Sequence, residues 1–188
     1  MIAREVLQKQ IMAITQHLKI KMETLSTKLK QVKLLLLDVD GTMTDGGIYI
    51  HADGTQTKRF NALDGEGIRR CMEAGIEVGI VSAAGLAKDI IQTRANILGI
   101  RLVHAERSSK LTIAQKWTKE LGLMATDVAF MGDDIIDAEV MKWCGVSAAP
   151  ANSHKSAKKV ALYHTVARGG EGAVREFVDL ILESQGLA

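Results

Sequence analysis

The sequence is short of the residues that staple, anchor or strongly charge a protein. It has two cysteines, Cys71 and Cys144. They form no C-x-x-C pair and lie in apolar stretches, which argues against a disulfide framework or a thiolate metal site and points to a reducing, cytoplasmic compartment. No apolar run approaches about 18 residues, so no membrane span is predicted. No basic stretch leads into an apolar segment in the way a signal peptide requires. Charge of one sign is lacking too: 24 Lys and Arg stand against 22 Asp and Glu, and the formal net charge of +2 is spread along the chain. That gives no electrostatic footprint for nucleic acid or an anionic membrane. At 188 residues the chain is long enough to bury a core of its own.

Glycine and proline are absent from residues 1–32, where apolar residues recur at Leu7, Ile11, Ile14, Leu18, Met22, Leu25, Leu29 and Val32. Steps of three and four predict an amphipathic helical extension over 1–32, ahead of a domain over 33–188. From Lys33 on, short apolar runs alternate with helical periods. Strands are expected at 33–38, 78–82, 102–104, 128–132 and 146–149, and helices at 65–74, 86–98, 109–121, 135–143 and 172–182. This alternation predicts an α/β, Rossmann-like parallel sheet with helices on both faces. Asp53-Gly54, between Ile48-Tyr49-Ile50 and residues 56–60, predicts a small β-hairpin inserted after the first strand. In such a sheet ligands bind beyond the carboxyl ends of the strands.

The chemistry-bearing residues fall at those ends. Asp38-Val39-Asp40-Gly41-Thr42 follows the first strand. Two carboxylates two residues apart face one pocket if extended geometry persists, and a hard divalent cation such as Mg2+ relieves their repulsion. Taken alone, the same residues read equally well as turn chemistry. Ser82 closes the second strand with a hydroxyl donor, and Lys110 opens a helix with an ammonium. Gly132-Asp133-Asp134-Ile135-Ile136-Asp137 places an acid cluster after another apolar strand. Helix capping accounts for acids there, but not for their pairing with a second acidic loop.

In this order the four segments resemble the motifs of the haloacid dehalogenase superfamily. Asp38 through Gly46, Phe60-Asn61-Ala62-Leu63-Asp64-Gly65-Glu66-Gly67-Ile68 and Gly169-Gly170-Glu171-Gly172-Ala173-Val174-Arg175-Glu176 are similar to its 3-deoxy-D-manno-octulosonate 8-phosphate phosphatases, a capless, tetrameric type. The spacing from Asp38 to Ser82, and from Lys110 to Asp133, leaves no room for a cap domain. The resemblance implies a phosphomonoesterase of lipopolysaccharide biosynthesis that hydrolyses a sugar-acid phosphate and requires Mg2+. Asp38 would be the nucleophile and Asp40 the acid and base. Ser82 and Lys110 would hold the phosphoryl oxygens, and Asp38, the Asp40 carbonyl and Asp133 would bind the metal. Asp134 and Asp137 would orient the metal's ligands and the lysine. Gly41, Thr42, Asp64, Arg168, Gly170 and Arg175 would contact the substrate. The partners implied are a small sugar phosphate and copies of the same chain in a homotetramer, with no nucleic acid or membrane.

Two departures touch the substrate. Ser82-Ala83-Ala84 stands where relatives commonly read T-G-R, which leaves Arg94, Arg107 or Lys88 to replace the missing guanidinium. The tail reads Gly-Gly-Glu-Gly, with Glu171 where many octulosonate phosphatases carry arginine. A nonulosonate 9-phosphate is therefore an alternative substrate, and a non-catalytic oligomerisation module of the same fold is the alternative from another class.

Overall fold

Leu34-Leu35-Leu36-Leu37 forms strand β1 (Leu34–Leu37), and none of its four side chains reaches solvent. A strand covered on both faces needs an unbroken apolar run rather than alternation. The computed structural model describes residue 15, residues 22–83 and residues 85–188. Most of the helix expected over 1–32, and Ala84 of the second motif, lie outside them.

Around β1 the sheet adds β4 (Glu77–Ser82), β5 (Leu102–Ala105), β6 (Val128–Met131), β7 (Val146–Ala149) and β8 (Tyr163–His164), in the order β5-β4-β1-β6-β7-β8. Every pairing is parallel. The short strands β2 (Tyr49–Ile50) and β3 (Gln56–Thr57) pair antiparallel as the hairpin. The sixth sheet strand, β8, has two residues and escaped the sequence pattern.

Alternation along β1 divides the core. Leu35 and Leu37 join one cluster, with Leu25, Leu29, Ile68, Ile91 and Phe177; Leu34 and Leu36 join the other, with Trp117, Phe130, Val140 and Ala157. Helices α2 (Ala62–Glu73), α3 (Lys88–Leu98) and α7 (Ala173–Gln185), together with α1, described over residues 22–29, therefore cover one face. Helices α4 (Lys110–Glu120), α5 (Ala138–Trp143) and α6 (Lys155–Val160) cover the other. The end of α1 is tied down: the Gln185 amide donates to the carbonyls of Leu29 and Val32 at 3.0 and 2.9 Å. α2 begins three residues before the expected start because the Asn61 side chain caps it, accepting from the Leu63 amide at 2.7 Å.

The chain leaves β1 on one side through β4 and β5 and returns on the other through β6, β7 and β8. The reversal opens a crevice at the carboxyl end of β1, where such sheets bind ligands. Between β1 and β4 lie only the turn Val39–Met43, the hairpin and α2, and between α4 and β6 only a tight turn at Ala125–Asp127, so among the described residues no cap domain is inserted at either place.

Candidate active site

Asp38 is the first residue past β1 and is 5% exposed. Its amide donates to the Met131 carbonyl of β6, which fixes the backbone from which the carboxylate projects. The loop then turns through Gly41 at φ 85°. A Cβ there would meet the Asp133 carboxyl carbon at 2.5 Å, so glycine is required for contact as well as for conformation. Thr42, fully buried, donates from its hydroxyl to Asp133 Oδ1 at 3.3 Å and ties the two acidic loops together.

Lys110 opens α4 after the Ser109 cap and is also 5% exposed. Its ammonium donates to Asp38 Oδ1 and Asp137 Oδ1, both at 2.6 Å. Asp137 accepts on its other oxygen from the amides of Asp133 and Asp134, at 3.0 and 3.1 Å. It can fold back this closely because Gly132 has no side chain: a Cβ there would lie 2.6 Å from that of Asp137. Ser82, the buried last residue of β4, stands beside β1 at the same edge of the sheet.

Burial is the main cause that pushes the Asp38 carboxyl well above its ordinary value, and Lys110 offsets it only in part. Burial, then the neighbouring Asp137, push Asp133 up to about 6. Burial works to lower the Lys110 pKa, but Asp38 and Asp137 outweigh it and hold the ammonium charged. Oxygens of Asp38, Asp133 and Asp137 all lie within 4.8 Å of one another. Three carboxyl groups thus face one ammonium, a formal charge of −2. A donor set of hard oxygens with that deficit fits a divalent cation of the Mg2+ type. Asp137 already carries three hydrogen bonds, so the oxygens left for a metal belong to Asp38 and Asp133.

Asp40 lies outside this knot. Its carboxylate pairs with Lys58, which follows β3 of the hairpin and whose side chain is 3% exposed. Sequence reasoning missed Lys58, because a lysine on a hairpin strand ordinarily reads as a solvated side chain. It also missed Asn152, which bridges the site and the tail: it donates to the Gly41 carbonyl at 3.5 Å and accepts from the Gly169 amide at 2.7 Å. The tail lies on the Asp38–Thr44 loop, with the Gly170 amide donating to the Thr42 carbonyl at 3.1 Å.

The remaining candidates are placed elsewhere. Asp64 is buried at the start of α2 and accepts from the amides of Gly172 and Arg175, at 3.3 and 2.9 Å, anchoring the first turn of α7. The Arg175 side chain pairs with Asp179 at 2.7 Å, and Arg168 is exposed beside Glu171 at 3.9 Å. Asp134 caps the turn Ile135–Asp137, accepting from the Ile135 amide at 2.7 Å.

A parallel sheet with two acidic loops and a buried lysine gathered at its carboxyl edge is the arrangement of a haloacid dehalogenase-like hydrolase, and residues 86–177 match that family. The 3-deoxy-D-manno-octulosonate 8-phosphate phosphatase KdsC of Salmonella typhi is 40% identical over 160 residues, 85% of this chain and 84% of its own length. The phosphatase of the same name from Yersinia pestis superposes with a TM-score of 0.84 at 38% identity, covering 87% of this chain and 88% of that one. That of Moraxella catarrhalis, whose crystal structure holds magnesium, phosphate and KDO, superposes at 0.85 with 34% identity, over 88% and 94% of the two chains. The chain belongs to the 3-deoxy-D-manno-octulosonate 8-phosphate phosphatase family.

Proposed function

We propose that this chain is a Mg2+-dependent phosphomonoesterase that releases phosphate from 3-deoxy-D-manno-octulosonate 8-phosphate. The observation that carries the reading is the knot of Asp38, Asp133 and Asp137 around Lys110, a preformed anionic site with the charge deficit of a divalent cation. Asp38 and Asp133, with the Asp40 carbonyl, would hold Mg2+, which when bound screens the repulsion between a carboxylate nucleophile and an anionic phosphate.

Asp38 attacks phosphorus in line through its oxygen not engaged by Lys110. A new P–O bond forms to the carboxylate as the bond to the sugar oxygen breaks, giving an aspartyl phosphate. The leaving alkoxide takes a proton from Asp40, which then removes one from the water that hydrolyses the acyl phosphate. Lys110 and Ser82 stabilise the equatorial phosphoryl oxygens, where charge is spread in the transition state. Asp137 positions Lys110, and Lys58 holds Asp40. The tail residues Gly169 and Gly170 support the nucleophile loop from beneath.

We further propose a homotetramer working in the cytoplasm. The exposed apolar hairpin side chains Ile48, Tyr49 and Ile50 support assembly. Two buried free thiols, Cys71 and Cys144, and no described helix long and apolar enough to cross a membrane, support the compartment.

The test is phosphate release from a panel of eight- and nine-carbon sugar-acid phosphates at equal concentration, with and without Mg2+. The highest kcat/KM is expected on the eight-carbon acid, with loss of turnover on chelation. A higher value on the nine-carbon acid would reassign the substrate, and turnover of none of them would remove the catalytic reading.

A further inference from the structure

Two cavities share Ala83 and Arg107 in their linings. One, of about 390 Å3, also takes in Lys110 and Ser109 and so adjoins the phosphate end of the site. The other, of about 240 Å3, takes in Asp40 and Lys58 and so adjoins the leaving-group end. Ala83 offers only a methyl to either. The cationic side chains of the two linings are Lys58, Arg107 and Lys110. Lys58 is committed to Asp40, and Lys110 to Asp38 and Asp137. Arg107 makes no ion pair among the described residues, neither with Glu139 of the same lining nor with its neighbour Glu106, which Lys88 holds at 2.5 Å.

We propose that Arg107 determines specificity by binding a carboxylate on the substrate's sugar. This deepens the proposed function and rests on its reading that the substrate is a sugar-acid phosphate. Such a molecule carries two anionic groups. Lys110 sits where the phosphate reacts, so the carboxylate needs a second cation across the rim of the cavity. A guanidinium presents a planar fork that a carboxylate accepts with both oxygens.

The loop that carries Arg107 is braced on each side, by the Glu106–Lys88 pair and by a 2.7 Å hydrogen bond between His104 and Ser108. Both contacts lie on the surface and occupy the neighbours of Arg107, leaving its guanidinium to a ligand. The other arginines named from the sequence or in the tail are placed differently. Arg94 packs over the Phe60 ring at 5.3 Å and donates to the Asn61 carbonyl at 3.2 Å. Arg168 lies 3.9 Å from Glu171 and lines neither cavity.

The experiment compares kcat/KM on 3-deoxy-D-manno-octulosonate 8-phosphate and on arabinose 5-phosphate, a sugar phosphate without a carboxylate, using the full chain with Mg2+. Wild type should favour the acid. In Arg107→Ala and Arg107→Gln the ratio of the two values should fall roughly 10- to 100-fold, the range expected for losing hydrogen bonds between charged groups, with the loss carried by KM on the acid. Arg107→Lys, which keeps the charge, should recover part of the ratio. A ratio that stays at the wild-type value in Arg107→Ala, or a loss confined to kcat, would overturn the assignment while leaving the proposed function standing. A wild type that does not distinguish the two esters would overturn both.

Discussion

Replacing Gly169 by alanine should cost both stability and turnover, and the structure sets the size of each. A Cβ at this position would lie 2.6 Å from the Gly41 carbonyl carbon and 3.0 Å from the Thr44 carbonyl oxygen, closer still to the Gly41 oxygen. These are backbone atoms of the loop that follows Asp38 and cannot swing aside. Gly169 is not among the glycines with positive φ, so the penalty is contact alone. Carbon atoms rest about 3.5–4.0 Å apart, so tail and loop must separate by about 1 Å. Overpacking of this kind costs about 1–3 kcal/mol. Strain on the Gly170-to-Thr42 and Gly169-to-Asn152 hydrogen bonds brings the total to about 2–4 kcal/mol. For a chain of this length that lowers Tm by about 4–16 °C in a calorimetric or fluorescence melt. The same displacement moves the loop between Asp38 and Thr42, and misplacing a reacting group by 1 Å can cost about 100-fold in kcat/KM. Gly75→Ala is the control: its φ of 85° is unfavourable for alanine, but nothing lies within 4 Å. It should lose about 1 kcal/mol and retain turnover. A Gly169→Ala enzyme with Tm within about 1 °C of wild type and unchanged kcat/KM would refute the idea that the tail supports the loop.

Other expectations follow from the same geometry. Asp38→Asn should fold, since Lys110 keeps Asp137, yet lose turnover by a factor on the order of 10^4 or more; steady-state phosphate release from the purified variant would remove Asp38 as nucleophile. Asp40→Asn should likewise bind Mg2+ but fail to turn over sugar phosphates, and an unchanged kcat would end its role as acid and base. Lys58→Met should lower kcat about tenfold, a charged hydrogen bond discounted because Asp40 is 36% exposed, with Lys58→Arg retaining part of the rate. Equal kcat in all three would show the pair to be idle. Mg2+ affinity should weaken as pH falls: the raised carboxyls of Asp38 and Asp133, the latter at about 6, are protonated below their pKa values and must release protons to bind the ion. Titration calorimetry at pH 5 and pH 7.5 should show a loss of about tenfold per pH unit for each proton displaced, and a flat profile would contradict the placement of the acids.

What the sequence displays most openly is the part of the fold governed by local pattern. Four consecutive leucines buried on both faces, acids directly after apolar strands and a lysine behind a serine cap all repeat in three dimensions at the spacing that the chain shows in one. Two short elements escaped the pattern: β8 has two residues and α6 six. Contacts between distant segments were not legible at all. Asp64 sits in an exposed-looking Asp-Gly-Glu-Gly stretch, yet it is satisfied by amides 108 and 111 residues away. Lys58 finds Asp40 only because the hairpin folds back over the loop. The glycine-rich tail reads as a ligand contact, whereas its glycines allow two backbones to touch. Removing the tail to examine its role would also remove Phe177, Val178, Ile181 and Leu182 from the core, so only point changes can address it.

The seat of the tail on the Asp38 loop has a consequence for synthesis in the cell. Asp38, Lys110 and Asp133 leave the ribosome well before residues 169–182, and chains emerge in order at about 5–20 residues per second. Until those residues arrive, the loop carrying Asp38 lacks the Gly170 and Asn152–Gly169 contacts, and half the core lacks α7. A nascent or prematurely stopped chain therefore displays Asp38, Lys110 and Asp133 on a loop and core that the tail and α7 have not yet braced.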